Sequence, residues 1–209
     1  MLQKLIADRL LTLPAFDQST PPANPAFPAN FVPAPNRIYN IHESTNVGSF
    51  FSPTRSSQVT AGAHAQKTHR TFRWLPWVKG QVSCVPLAGG DILTGKMSGC
   101  WLVIFQLNGA TYAGHIGTED AQATPNSVQA KAAWRNAVNA NQIAPMAAFN
   151  PVGTLPATST LNLKNEAAEF YGAFEPTGQV YTVVMTHAGT SRRIARVLPR
   201  QTTPDVVGF

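Results

Sequence analysis

One cysteine, one imidazole and a tight turn between them are the part of this sequence that bears chemistry. The runs Cys100 to Leu107 and Ala110 to Ile116 are rich in β-branched, aromatic and aliphatic residues, and Asn108-Gly109 separates them. Asn-Gly tolerates positive φ at both centres of a type I′ turn, so the pattern predicts a hairpin with a two-residue loop. In that register Leu107 faces Ala110, Leu102 lies opposite His115 and Cys100 lies opposite Gly117. Alternation then places Cys100, Leu102, Thr111, Ala113 and His115 on one face. Cys100 and His115 become diagonal neighbours at roughly 7–8 Å, a gap that the two side chains can close to a hydrogen bond. An imidazolium beside a thiol lowers its pKa from about 8.5 and later protonates a leaving group. Ser98-Gly99, just before the thiol, adds a turn whose backbone N–H groups suit a developing oxyanion. The plain structural alternative is a buried free cysteine beside a satisfied core histidine. A one-residue bulge in the hairpin would also put the two residues on opposite faces.

The elements that must position this pair are short and mostly extended. Residues 1–13 read as an amphipathic helix that stops at Pro14. Residues 14–36 carry seven prolines and almost no charge, so they read as a polyproline-like surface segment, neither helix nor central strand. Strands are expected at Arg37 to His42, Thr71 to Trp77 (ending at Pro76) and Gln81 to Pro86, and the stretch Ser44 to Thr68 reads as loop with one strand. Asn126 to Ala140 is expected to be helical, with Asn126 as its N-cap and Val128, Ala132, Arg135 and Val138 along one side. Residues 142–165, with three prolines, read as irregular. A second hairpin is expected from Gln179 to Leu198 around Ala188-Gly189-Thr190. The fold class is α/β with β dominant and mostly antiparallel, in a single domain over 1–209.

Composition narrows the function classes. Charged residues are 12% of the chain, about half of the ~25% of an average domain, which excludes coiled coils and long charged helices. No run of 18 apolar residues exists, so no membrane-spanning helix is expected. Asp8 and Arg9 interrupt the N-terminal apolar stretch and no Ala-x-Ala site follows, so no signal peptide is read there. The net charge of +6 permits an acidic partner. The basic residues gather at His64, Lys67, His69, Arg70 and Arg73, and at Arg192, Arg193, Arg196 and Arg200. They read first as solvated faces of an acid-poor protein. Two cysteines, Cys84 and Cys100, make no disulfide framework, although counting leaves a single bridge open; a reducing compartment is the simpler reading, with Cys84 as a buried apolar residue. No four-ligand zinc spacing exists, and His42, His64, His69 and His187 fall in no ligand pattern. Trp74, Pro76 and Trp77 read as core and wall, and Glu119-Asp120 as a loop before the helix.

In order along the chain, Trp74-Leu75-Pro76-Trp77, Met97-Ser98-Gly99-Cys100 and His115 resemble the cytotoxic-necrotizing-factor type of glutamine deamidase toxins. The signature of that family is Leu-Ser-Gly-Cys with a histidine downstream across a hairpin; Met97 replaces the Leu, a volume-conserving change. The matched stretch runs from Thr71 to Thr118, under a quarter of the chain. The resemblance implies a third catalytic element, the backbone carbonyl of a Thr six residues before the Cys, and Thr94 holds that position. It implies a sandwich of two mixed β-sheets with peripheral helices and long loops. It implies a bacterial toxin or effector, made without a signal peptide and acting as a monomer in the host-cell cytosol. There it would convert a glutamine of a host protein to glutamate through Cys100, His115 and Thr94, without cofactor, metal, membrane or nucleic acid. The same dyad also suits a cysteine peptidase or a transglutaminase. A reading of a different class is a basic nucleic-acid-binding module using the Arg192 to Arg200 strand. Sparse lysines and the absence of an aromatic–basic motif weigh against it.

Overall fold

The computed structural model describes residues 2, 5, 7, 9–13, 22, 24–35, 37–46, 54–62, 70–153, 155, 161, 163 and 166–208. In chain order the strands are β1 (Leu10–Thr12), β2 (Phe31–Pro33), β3 (Ile38–Asn46), β4 (Thr54–Ala61), β5 (Thr71–Trp74), β6 (Val82–Pro86), β7 (Ile92–Met97), β8 (Trp101–Leu107) and β9 (Ala110–Ile116). Helix α1 (Pro125–Asn139) follows, then β10 (Ala144–Phe149), β11 (Ala168–Phe174), β12 (Val180–Ala188) and β13 (Ser191–Pro199). The architecture is β-dominant, with two mixed sheets and one α-helix among the described residues.

The first sheet closes on itself. Its order is β1-β13-β12-β11-β7-β5-β3-β4, and β1 pairs with both β13 and β4 to complete an eight-stranded barrel. Residues 10–12 are strand where the end of an N-terminal helix is expected, and of the two mixed sheets expected, one closes into a barrel. The physical reason is edge satisfaction: β4 and β13 would otherwise expose two edges of unpaired N–H and C=O groups, and a three-residue strand satisfies both. The second sheet has the order β10-β8-β9-β6-β2. Three pairings are parallel, β1 with β4, β5 with β7 and β2 with β6. The edge strand β2 falls within the proline-rich segment, with Pro33 at its end, where a missing N–H costs least. Residues 14–21, 23 and 36 of that segment, and His64, Lys67 and His69 of the first basic cluster, lie outside the described residues.

Period-two alternation sorts the apolar side chains into stacked layers. Ile41, Val59, Phe72, Trp74, Leu93, Tyr171, Val183, Met185 and Ile194, contributed by barrel strands, fill the barrel interior. Leu75, Ile92, Met97, Cys100, Leu102, Ile104, Ala113, Phe149 and Phe174 pack between barrel and sheet. On the far face of the sheet, Cys84, Val103, Phe105 and Ile116 meet Ala130, Ala133, Trp134 and Ala137 of α1. The N-cap of that helix is Thr124, whose hydroxyl accepts from Ser127 N at 3.2 Å, with Pro125 in the first turn. Asn126 therefore lies inside the helix and not at its cap: Pro125 has the fixed φ and the missing N–H that suit the first helical position.

Besides β1 and β2, three strands fall outside the sequence reading, and each breaks a simple alternation. In β10, Pro145 and a register shift interrupt the pairing with β8. In β7 a bulge lies between Gly95 and Met97, opposite Tyr171 and Phe170 of β11, and β11 itself carries Gly172 in its middle. That glycine sets the spacing of the two layers. A Cβ at position 172 would sit 2.0 Å from Leu102 Cδ1, so only a bare backbone lets the sheet approach the barrel here.

Candidate active site

The β8–β9 hairpin has the register that Asn108-Gly109 dictates, with Leu107 opposite Ala110 and Leu102 opposite His115. Cys100 immediately precedes β8 and packs in the same layer as Leu102 and Ala113, which places it on the His115 face. Thr94 reaches this layer from the barrel by alternation with Ile92, and the β7 bulge that follows returns Met97 to the same face. Thr94 pairs with Gly172, Gly95 with Tyr171 and Met97 with Phe170, so Lys96 has no partner across the ladder. Ile92, Thr94 and Met97 consequently all turn toward the sheet, and Leu93 and Gly95 turn inward. Gly95 has φ of 151°, and a Cβ there would lie 2.5 Å from the Tyr171 ring, so the bulge demands glycine. The three residues therefore come from three places: barrel strand, sheet strand and the connection between the two.

Thr94 and His115 are fully buried, and Thr94 Oγ1 lies 2.8 Å from His115 Nδ1. The group that holds the ring is thus the side-chain hydroxyl, not the backbone carbonyl that the family resemblance implies. In a strand the carbonyl lies in the plane of the ladder, whereas the side chain points across the layer. His115 Nε2 is buried with no hydrogen-bond partner among the described residues. Burial pushes the imidazole pKa down to about 3, so the ring is neutral.

The thiol is engaged elsewhere. Cys100 Sγ donates to Thr118 O at 3.3 Å and accepts from Thr118 Oγ1 at 3.4 Å. The expected thiol–imidazole hydrogen bond is not made, because Thr118, at the end of the His115 strand, offers the sulfur both an acceptor and a donor. Burial pushes the Cys100 thiol up; the Thr118 bonds act against this and the Asp120 charge adds to it. The resting pair is a neutral thiol and a neutral imidazole, where a thiolate–imidazolium pair is expected from the spacing. The sulfur's own backbone N–H is directed at it.

Cys100 is 3% exposed and forms the floor of a cleft of about 520 Å³, walled by Trp77, Lys96, Ser98, Thr118, Glu119 and Asp120. Ser98 Oγ donates to Asp120 Oδ1, and Asn150 Nδ2 donates to Gly99 O at 3.5 Å, so both residues of the turn before the thiol are tied down. Trp77 Nε1 donates to the Thr118 carbonyl at 2.8 Å. Its loop reaches this position because Gly117 lacks a side chain: a Cβ there would lie 1.9 Å from Val78 O. The start of α1 fixes the opposite wall. Glu119 N donates to Ser127 Oγ at 2.9 Å, and the Glu119 carboxylate takes Lys79 Nζ at 2.8 Å and Asn126 Nδ2 at 3.0 Å. The Lys79 hydrogen bond first, then those of Thr124 and Asn126, hold that carboxyl at about 2.

Thr118 and Asp120 line the cleft, although the sequence reading gives Thr118 no role and reads Asp120 only as part of a loop before the helix. The signal was present in the register: a strand placing Gly117 opposite Cys100 also delivers residue 118 beside the thiol. Cys84 lies on the other face of the sheet, its Sγ 3.7 Å from Val32 O, and burial raises its pKa to about 12. Both cysteines are free. Of the basic-cluster residues, Arg73, Arg192, Arg193 and Arg200 are tied into the fold. Arg73 donates to Leu87 O and Gly90 O, Arg192 pairs with Glu169 at 2.5 Å, and Arg193 pairs with Glu166 at 2.6 Å. Arg200 donates to the carbonyls of Asn150 and Gly153. Among the described residues no group of three His, Cys, Asp or Glu is placed to hold a metal, and no helix is long and apolar enough to cross a membrane. The chain matches no family model, no curated protein and no solved structure.

Proposed function

We propose that this chain is a glutamine deamidase of the bacterial effector kind, converting a glutamine on a host protein to glutamate with Cys100 as nucleophile and His115 as general base and acid. One observation carries the reading: a fully buried imidazole, gripped at Nδ1 by Thr94, leaves Nε2 unpaired on the same face as a thiol that floors an open cleft. A buried polar atom without a partner costs about 1–3 kcal/mol, and a catalytic role accounts for keeping it.

With Nδ1–H donating to Thr94 Oγ1, Nε2 carries the lone pair. On substrate binding the Cys100 side chain turns from Thr118 to Nε2, since apo hydrogen bonds at such sites are often loose. Because burial disfavours both ions, the proton moves to Nε2 as sulfur bonds to the glutamine Cδ. Backbone N–H groups of the Ser98 to Cys100 turn face the resulting oxyanion. Nε2–H then protonates the departing nitrogen, ammonia leaves and a thioester remains. A water deprotonated by Nε2 adds to the thioester carbonyl, the C–S bond breaks as Nε2–H returns its proton to the sulfur, and glutamate is released.

The test is incubation of the full chain with lysate of eukaryotic cells, followed by a proteome-wide search for glutamine-to-glutamate conversion, with Cys100→Ser as control. Conversion at one site on one protein, absent with the control, is expected. Cleaved chains would replace the reading with a peptidase, and amine-incorporated or cross-linked glutamines with a transglutaminase.

A further inference from the structure

We infer that Asp120 is the specificity residue of this cleft, selecting a neutral carboxamide over a carboxylate at the thiol. The inference rests on the deamidase reading for its biological meaning, but not for its test. Ser98 Oγ fixes Asp120 Oδ1, which leaves Oδ2 in the cleft with no hydrogen bond among the described residues. Lys96, which walls the cleft, and Lys79, bound to the neighbouring Glu119, are committed to other carboxylates, Lys79 to Glu119 at 2.8 Å and Lys96 to Glu169 at 3.2 Å. Neither lysine therefore pairs with the Asp120 carboxylate beside the nucleophile.

For the thiol alone this charge is unfavourable, because it opposes formation of thiolate. Its use lies with the substrate. A glutamine carboxamide presents an N–H₂ donor that an ionised acceptor takes well; a glutamate carboxylate presents no donor and is repelled. A hydrogen bond to a charged group corresponds to roughly 10- to 150-fold in discrimination. The same carboxylate holds the nitrogen that must leave as ammonia, and it expels the acidic product once formed.

Iodoacetamide and iodoacetate reproduce this choice at the sulfur: they differ as carboxamide and carboxylate and alkylate the thiol by the same displacement of iodide. In a Cys84→Ser background, the rate ratio of iodoacetamide to iodoacetate at Cys100, normalised to free cysteine, is expected to exceed one by about tenfold or more. Asp120→Asn keeps an oxygen for Ser98 but puts an N–H₂ donor or a neutral oxygen where the charge was. It should bring the ratio toward that of free cysteine, chiefly by accelerating iodoacetate, while glutamine conversion slows. A wild-type ratio equal to that of free cysteine, or a ratio unmoved by Asp120→Asn at unchanged urea midpoint, overturns the inference. An intact ratio shift with no glutamine conversion by the wild type would instead remove the deamidase reading and leave carboxamide selection standing.

Discussion

Replacing Thr94 by valine separates the two ways in which this residue can orient His115. Valine keeps the backbone carbonyl and nearly the same shape but removes the hydroxyl that sits 2.8 Å from Nδ1. Both residues are fully buried, so no water can take the vacated place without a cavity. The loss is one buried hydrogen bond plus an imidazole left with both nitrogens unpaired, since Nε2 already lacks a partner. That costs about 1–3 kcal/mol of stability. The catalytic loss should be of similar size, roughly 5- to 150-fold in kcat/KM, because nothing then holds the tautomer with its lone pair on Nε2. Urea unfolding measures the first quantity and glutamine conversion the second. Thr94→Ser restores the hydroxyl and should recover most of both. If Thr94→Val matches wild type in stability and rate, the hydroxyl does not hold the ring, and the backbone carbonyl returns as the orienting group.

Cys100→Ser should abolish conversion with the fold intact, because a serine hydroxyl is far harder to ionise; Cys84→Ser should leave the rate unchanged, and only Cys100 should label with iodoacetamide in the native state. Gly172→Ala should destabilise by about 1–3 kcal/mol, since its Cβ meets Leu102 Cδ1 at 2.0 Å. Leu102→Ala should relieve that clash, so that the double variant loses less than the two single losses added together; strict additivity in urea unfolding would refute the contact. His115 is held neutral, with its pKa pushed down to about 3 by burial, whereas the unfolded chain takes up the proton near 6.5. Stability should therefore be complete above pH 6.5 and fall by up to about 1.4 kcal/mol per pH unit as the pH drops below it. The Glu119 and Glu169 carboxyls, both held at about 2, lose their contributions only below about pH 4.5. The interval between 6.5 and 4.5 thus reports on the histidine, and His115→Gln should flatten the slope there; an unchanged slope would place the imidazole in contact with water.

The hairpin was legible in the residues because its determinants are local. Asn108-Gly109 admits one turn, the turn sets the register, and the period of two assigns Cys100 and His115 to the same face. The extent of α1, β5, β6 and the β12–β13 hairpin were legible for the same reason: their patterns complete themselves within a few residues. The buried face of α1 was not: the side with Val128 and Arg135 is the wetter one, and Ala130, Ala133, Trp134 and Ala137 are buried against the sheet. Barrel closure was not, since Leu10 to Thr12 becomes strand only by satisfying two edges more than forty residues away in one case and more than a hundred in the other. Nor was the role of the Thr94 hydroxyl, which depends on β7 pairing with β11 and on Gly172 drawing the layers together. The thiol's partner was settled in the same way, by a loop that Gly117, Trp77 and the start of α1 press against Cys100. Local backbone preference decides which residues share a strand face; which atoms of that face touch is decided by close approach of layers far apart in sequence, where one missing Cβ outweighs any propensity.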